Sequence, residues 1–248
     1  MGNLRSVYIH WWRHRRAYWG IGARIAALNA ALGVCLFLLG KGYMDDVVME
    51  PVALAALAGG LLCLLGLRAA VKIRLIYAVR KGIDTLPEGC AGFWKVWSRY
   101  LYGYLLVTLP GLIVPMVIWF EASLCILLLR WRMHFLPYTG VLEPERDIGR
   151  NGIRWGQGMV WQICIMGILT KWAAGLVCGI IILSLWLSGA DIWMMAAIAG
   201  WALASMAAEP LYQTGNLLLY QKQYLAQVNP ETFWMDMEQE GEIQEGQT

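Results

Sequence analysis

The sequence predicts an all-α, polytopic membrane protein with six membrane helices arranged as three hairpins. Of the 248 residues, 59% are apolar and only 15% are charged, whereas a soluble domain carries about 25% charged residues. Residues 51–67 and 100–120 contain no charged side chain, and residues 155–190 contain one. Because about 20 consecutive apolar residues are enough to cross a bilayer as a helix, these stretches favour a membrane fold.

The first predicted hairpin covers residues 19–71. Its first helix is the apolar stretch 19–40, and its second helix begins at Pro51, directly after Glu50. Proline is well tolerated in the first turn of a helix, and an acidic residue is favoured there by the helix dipole. The connecting loop carries three acidic residues and one lysine. We therefore expect this loop to lie on the outer side of the membrane.

The second predicted hairpin, residues 100–133, is irregular. Its apolar stretch, residues 100–129, has 30 residues. As a single helix this stretch would be about 45 Å long, whereas the hydrocarbon core is about 30 Å thick. Pro110 and Pro115 interrupt the stretch with turn or kink signals. Seven basic residues lie at 68–99, before the apolar stretch 100–129, and five lie at 130–154, after it. Both groups stay cytoplasmic only if the chain turns back, which favours two short helices over one kinked span.

The third predicted hairpin covers residues 158–220, with a turn at 188–191 between its helices. Six helices arranged in this way place 18 of the 20 basic residues on one side of the membrane. Lys41 lies on the opposite side, and Lys171 lies in or near the membrane. The positive-inside rule then places both termini in the cytoplasm.

A short segment that mixes tryptophan with basic residues precedes each hairpin, at 7–19, 93–100 and 150–161. Tryptophan prefers the level of the lipid headgroups, and basic side chains extend towards phosphate. We predict that each segment is an amphipathic helix lying flat on the inner leaflet against anionic headgroups. The predicted interface residues are Trp11, Trp12, Arg13, Arg15, Arg16, Trp94, Lys95, Trp97, Arg99, Arg154 and Trp155.

Three stretches carry a family resemblance. They are LPGLI at 109–113 with the helix that runs on to RWRMHFLP at 130–137, the amphipathic stretch at 143–155, and EPLYQTGNLLLY at 209–220. They resemble the six-helix membrane domain that some bacteria fuse to glycerophosphodiester phosphodiesterases, and its stand-alone relatives. The resemblance implies a six-helix fold in a bacterial cytoplasmic membrane. Because these 248 residues leave no room for the phosphodiesterase barrel, it implies no catalytic activity.

The candidate intramembrane polar site centres on Glu209. A charged side chain within the membrane costs about 2.5–3.5 kcal/mol on insertion scales and therefore needs a function or a partner. It could line a substrate or ion pathway, or it could pair with Lys171, an arginine, a hydroxyl or an indole. The structural alternative is favoured because no second acid accompanies it. The candidate residues are Glu209, Gln213, Asn216, Lys171 and Glu121.

The sequence predicts no metal, no cofactor and no enzymatic activity. His10 and His14 are four residues apart, which places them on one helix face, but four arginines within the first 16 residues repel a cation. The six cysteines form no C-x-x-C pair and are typical of small buried apolar residues. Phosphate-binding loops, zinc-protease motifs and nucleophile elbows are absent from the sequence.

Residues 1–228 form the predicted membrane domain, and residues 229–248 form an acidic cytoplasmic tail with six acidic residues and no basic ones. Within the tail, Phe233, Trp234 and Met235 are apolar, and we expect them to dock onto a partner or onto a basic face of this protein.

Together these features favour a non-enzymatic membrane subunit or scaffold of a larger envelope complex. Its expected partners are the lipid membrane with its anionic headgroups and either other subunits or further copies of itself, and no nucleic acid. A transporter or pore for ions or small solutes is the first alternative, because three hairpins could surround a pathway. Lipid handling is the second alternative, because basic amphipathic helices attract anionic headgroups.

Overall fold

The computed structural model describes residues 2–44, 51–83, 86, 91–113, 129–130, 132–145, 147, 149–150, 152–153, 159–172, 176, 179–180, 183–184, 187 and 193–228. Regular structure in these ranges is helical throughout, with no β-strand, which confirms the all-α prediction. The helices are α1 (Gly2–Met44), α2 (Pro51–Arg80), α3 (Phe93–Ile113), α4 (Leu136–Leu142), α5 (Val160–Gly167), which continues as a π-helix (Ile168–Trp172), and α6 (Trp193–Val228).

The chain forms two compact units. The first unit comprises residues 1–79 and 164–215, and the second comprises residues 80–163 and 216–248. The first therefore contains α1, nearly all of α2 and the N-terminal part of α6. The second contains α3, α4 and the C-terminal part of α6.

Among the described residues, two helices are long and apolar enough to cross a membrane by length and composition, α1 from Arg5 to Leu38 and α2 from Pro51 to Arg80. The N-terminal half of α2 consists mainly of alanine and leucine, which have the highest helix propensities. Several of its large side chains are uncovered: Val52 is 77% exposed and Leu62 is 69% exposed. Leu57, Leu61 and Leu64 are half-buried on one face, so the other faces of this half of α2 present apolar surface.

The C-terminal half of α2 differs, because one face of it is buried. The buried residues include Ala69, Lys72, Ile76 and Val79, whose spacing of three and four residues places them on a single side. The sequence predicts an end near residue 71, whereas the helix continues to Arg80. The apolar repeat on this buried face continues beyond residue 71, and packing supports the additional turns.

The tryptophan-rich segments at 7–19 and 93–100 are parts of longer helices. Residues 7–19 lie within α1 and residues 93–100 begin α3, and each helix continues without a break. The prediction of separate interfacial helices before the first two hairpins is therefore wrong in this respect. Neither junction contains a proline, and extending an existing helix is easier than nucleating a new one.

Several sequence predictions fall outside the described residues. They concern the loop residues 45–50, the central turn around Pro115, the turn at 188–191 and the tail from 229 onwards. Of the third tryptophan-rich segment, the described residues are 150, 152–153 and 159–161.

In the first unit, α1 packs against α6 through small residues. A Cβ atom at Gly22 would overlap the carbonyl group of Met206 and lie 3.3 Å from Cγ of Pro210. Further along, a Cβ atom at Gly33 would lie 2.9 Å from Cγ2 of Ile198. In these contacts the residue numbers increase along α1 as they decrease along α6, so the two helices are antiparallel. Small residues at helix interfaces allow this close approach.

Pro210 lies inside α6 and has no backbone N–H. The carbonyl of Met206, four residues earlier, therefore lacks its helical donor, and Gly22 lies directly against it. The two positions fit together because a glycine lets α1 approach the altered turn.

In the second unit, α3 packs against α4. A Cβ atom at Gly103 would lie 2.8 Å from the backbone of Leu136 and Pro137, and one at Gly140 would lie 3.1 Å from the backbone of Arg99. Pro137 lies in the first turn of α4, a favourable position for proline. All seven residues of α4 are buried, so this short helix serves as a core element of its unit.

Replacing Gly22 with alanine is expected to destabilise the protein, because the new methyl group would overlap the Met206 carbonyl. Overpacking of this kind costs about 1–3 kcal/mol, and the backbone carbonyl cannot rotate aside. The measurement is the thermal unfolding midpoint of the purified protein in detergent. The matched control is Gly20→Ala on the same helix, where no atom lies within 4 Å, and this variant should be as stable as the wild type or more so. Equal stability of both variants would contradict the packing argument.

Candidate functional site

Polar residues form one stripe along α6. The intervals of four, four, three and four residues place them on a single helical face. Ser205, Glu209 and Gln213 belong to the first unit, and Asn216 and Tyr220 belong to the second. Apart from Ser205, which is half-buried, these side chains are buried, so each needs a partner.

Glu209 forms a buried ion pair with Lys72 of α2. The Lys72 Nζ atom lies 2.7 Å from the Glu209 Oε1 atom, and both side chains are 6% exposed. Gln213, one turn further along α6, donates a hydrogen bond from Nε2 to the same carboxylate oxygen at 2.9 Å. The opposite charge and the hydrogen bond offset the cost of removing the carboxylate from water. The pair therefore joins α2 to α6.

The identity of this partner corrects the sequence interpretation. The sequence predicts Lys171, an arginine, a hydroxyl or an indole as the partner of Glu209, and it places Lys72 among the cytoplasmic basic residues. The spacing of Ala69, Lys72, Ile76 and Val79 is the sequence signal that places Lys72 on the apolar face of a helix.

Two other candidate residues cannot be placed in this site. The backbone of Lys171 belongs to the π-helical turn, but its side chain lies outside the described part of the chain, as does Glu121. The neighbouring Thr170 is buried and donates from Oγ1 to the Met166 carbonyl at 2.7 Å.

Asn29 connects α1 to the same face of α6. Its Nδ2 atom donates to the Ser205 Oγ atom at 2.9 Å, and that hydroxyl donates to the Ala202 carbonyl at 2.7 Å. Asn29 is 1% exposed, and its Oδ1 atom has no hydrogen-bond partner among the described residues. Within the first unit, α6 is thus bonded through polar side chains to both α1 and α2.

Asn216 bonds to residues other than Glu209 and Gln213. Its Nδ2 atom donates to the Tyr138 hydroxyl at 2.8 Å. The His134 Nε2 atom donates to its Oδ1 atom at 3.1 Å, which places a proton on that ring nitrogen. Tyr220, also on α6, donates to Glu143 Oε1. These bonds connect α6 to α4 and its flanking turns.

The predicted interface residues of α1 differ in their exposure. Trp12, Arg13 and Arg16 are exposed, while Trp11 and Arg15 are half-buried. The Arg15 guanidinium lies over the Trp12 ring, 4.2 Å from its centroid, and donates from Nη1 to the Trp12 carbonyl at 2.9 Å. This contact holds the indole in one orientation.

The predicted interface residues of α3 share one helical turn and a half. Trp94 is 74% exposed and packs edge-on against Trp97, with ring centroids 5.8 Å apart. Lys95 pairs with Glu145, its Nζ atom lying 2.7 Å from both carboxylate oxygens. The hydrogen bond from this ammonium holds the pKa of the Glu145 carboxyl below its usual value. Lys95 thus has an acidic partner that the sequence does not predict.

The remaining predicted residues, Arg154, Trp155 and the tail residues Phe233, Trp234 and Met235, lie outside the described residues.

The described ranges contain no candidate metal cluster, because no three histidine, cysteine, aspartate or glutamate side chains come together there. The rings of His10 and His14 lie 4.7 Å apart. His14 Nδ1 bonds to the His10 carbonyl, and His10 Nε2 bonds to the Tyr18 hydroxyl, each at 3.1 Å.

Compared with known proteins, the chain matches no protein-family model, no curated protein sequence and no solved structure. The resemblance to the phosphodiesterase-fused membrane domain therefore rests on the sequence motifs alone.

Replacing Asn216 with leucine is expected to destabilise the protein, because the Tyr138 hydroxyl and the His134 ring would each lose a partner. Each hydrogen bond lost in this way contributes about 0.5–1.5 kcal/mol to stability. Thermal unfolding of the purified protein is the measurement. Gln162→Leu replaces an exposed amide and serves as the control, with an unfolding midpoint close to that of the wild type. Equal midpoints for the two variants would argue against the bonds of Asn216.

Proposed function

We propose that this chain is a non-enzymatic integral membrane protein that acts as a helical subunit or scaffold of a larger envelope complex. The observation that carries the proposal is the pairing of Glu209 with Lys72. The Glu209 carboxylate is the group in the apolar part of α6 whose burial costs the most free energy. It is neutralised by Lys72 of α2 and accepts a hydrogen bond from Gln213. A carboxylate engaged in this way stabilises a helix bundle, which is the role expected of a scaffold.

The exposed surface of α2 supports insertion into a membrane. Val52, Leu54, Leu62 and Leu67 are each more than half exposed, although apolar side chains of this size are covered in a soluble core. Large contiguous apolar patches mark contact with a membrane or with another protein. A bilayer would cover the exposed apolar faces of such a helix.

The finer topology is also part of this proposal. We infer six spans arranged as three hairpins in a bacterial cytoplasmic membrane, with both termini on the cytoplasmic side. The distribution of basic residues supports it, although the burial of Lys72 removes one residue from the cytoplasmic count and leaves 17 of 20. Helices α1 and α2 supply the first two candidate spans.

Single cysteines introduced into a cysteine-free variant test this topology in intact cells. A cysteine at position 45 should react with a membrane-impermeant maleimide from outside, because the acidic loop is expected there. A cysteine at position 145, which is exposed, is the inner probe and should react only after the cells are opened. Reaction at 145 from outside would refute the central hairpin, and protection at 45 would reverse the orientation.

A small-solute or ion transporter is the second candidate. The observation that favours it is that buried polar side chains from three helices belong to one unit: Asn29 from α1, Lys72 from α2, and Glu209 and Gln213 from α6. Transport pathways in membrane proteins place polar residues of several helices at one depth.

Variants of the ion pair separate the two candidates. Lys72→Met and Glu209→Leu should each strongly lower the yield of folded protein, because removing one member of a buried pair costs about 3–5 kcal/mol. The double variant should recover most of the yield, because an apolar pair of similar volume restores neutrality. Yield is measured by fluorescence-detected gel filtration in detergent.

Two further measurements on the double variant decide the function. A scaffold should retain its co-purifying partners or its oligomeric state, and neither the wild type nor the double variant should conduct ions in proteoliposomes. If the wild type conducts and the folded double variant does not, the transport function replaces the scaffold proposal. Failure of the double variant to recover would contradict the pairing itself.

A further inference from the structure

The exposed side of α1 between residues 5 and 24 carries two adjacent stripes of side chains. The aromatic stripe consists of Tyr8, Trp12 and Trp19, which are 56%, 49% and 43% exposed. The basic stripe consists of four exposed arginines, Arg5, Arg13, Arg16 and Arg24. Each stripe follows intervals of three, four, seven, eight or eleven residues, which keep its members on one side of a helix. We call the two stripes together the aromatic–arginine face.

Within the part of the chain that the structure describes, no acidic side chain neutralises this face. No acidic residue occurs in the first 44 residues. None of the four arginines forms an ion pair with any described residue. With respect to these residues, the four guanidinium groups are therefore available for an anionic ligand.

The opposite side of the same helical segment is buried. Val7 and Tyr18 are 3% and 1% exposed, and the His10 Nε2 atom hydrogen-bonds the Tyr18 hydroxyl at 3.1 Å on this side of α1. Because one side of α1 is covered in this way, the aromatic–arginine face is the side that points outward.

The length of α1 places this face at the edge of a membrane. A helix of 43 residues is about 65 Å long, whereas a hydrocarbon core is about 30 Å thick. About half of α1 therefore cannot lie in the core. The apolar residues towards Leu38 fit the core, so the half that remains outside it is the half that carries the arginines.

We propose that the aromatic–arginine face is a binding site for anionic phospholipids, with the arginines on the lipid phosphates and the indoles at the boundary with the acyl chains. The inference rests on the proposed membrane location. Guanidinium groups bind phosphate through paired hydrogen bonds, and indole rings prefer the headgroup level. Arg15 acts as a positioning residue, because it lies against the Trp12 ring and its carbonyl.

A soluble phosphate compound would bind the arginines but would not contact the three exposed aromatic rings. The combination of an aromatic stripe and a basic stripe therefore favours a lipid over a free anion. The acidic residues 229–248 of this chain, with six acidic side chains, are the competing occupant that the test has to separate.

The test compares lipid binding by the full-length protein and by Arg13→Gln/Arg16→Gln. Purified protein in neutral detergent is titrated with phosphatidylglycerol or with phosphatidylcholine of the same acyl chains, and bound lipid is counted by native mass spectrometry. Removing two surface arginines should weaken phosphatidylglycerol binding about 30-fold and leave phosphatidylcholine binding within about twofold. Because both arginines are exposed and form no ion pair within the described part of the chain, the unfolding midpoint should not change.

Arg130→Gln/Arg132→Gln removes the same charge from exposed positions outside the face and should bind phosphatidylglycerol as the wild type does. Trp12→Leu should weaken binding of both lipids. Inorganic phosphate at equal ionic strength should not displace the bound lipid. Equal affinity for the two lipids, or equal loss in both double variants, would overturn the proposal.

A variant that ends at residue 228 identifies the competing occupant. If the full chain binds phosphatidylglycerol weakly and this variant binds it strongly, the acidic segment occupies the face and the lipid proposal is wrong. These outcomes are distinct from failure of the proposed function. A chain that is not integral to a membrane would remain in solution without detergent before any lipid is added.

Discussion

The ion pair between Lys72 and Glu209 is the interaction on which the first unit depends. A carboxylate that is 6% exposed has to be neutralised or protonated, because burying an unpaired charge costs several kcal/mol. Lys72 neutralises it from α2, and Gln213 bonds it within α6. The requirement fixes the position of α2 along α6 and the rotation of each helix, since neither end can move without leaving a buried charge unpaired. Apolar packing alone tolerates such shifts more readily.

One turn of α6 also determines how α1 approaches. Ser205 accepts a hydrogen bond from Asn29, the Met206 carbonyl lies against Gly22, and Glu209 holds α2. Pro210 frees that carbonyl from its helical hydrogen bond, and only a glycine on α1 leaves room for the contact. The turn is therefore a junction of three helices, in which one proline and one glycine complement each other. Residues that disrupt helices elsewhere act here as parts of an interface.

Composition and the energetics of single residues predict part of this structure from the sequence. The prediction fails for contacts between residues that are far apart in the chain. The all-α class is predicted by the charge-free stretches, and the need of Glu209 for a partner is predicted by the cost of a buried charge. The identity of that partner is not predicted, because Lys72 lies 137 residues from Glu209 in the chain and its charge suggests a loop. Tryptophan and arginine at 7–19 indicate a membrane surface, but they carry no helix stop, so α1 continues through them. Asn216 shares a face with Glu209 and Gln213, yet its partners Tyr138 and His134 come from a distant segment.

The same ion pair weighs against a pathway through the first unit. An ion or solute that used Glu209 would have to separate the carboxylate from Lys72 and from Gln213, which breaks a buried ion pair and a hydrogen bond to a charged group. Transporters meet this requirement with several acidic or polar groups that exchange partners during the cycle. Asn29 offers a buried amide oxygen without a partner among the described residues, but a single amide oxygen cannot stabilise a displaced ammonium as a carboxylate does. The pair is therefore more stable closed than open, which favours the proposed scaffold over the transporter.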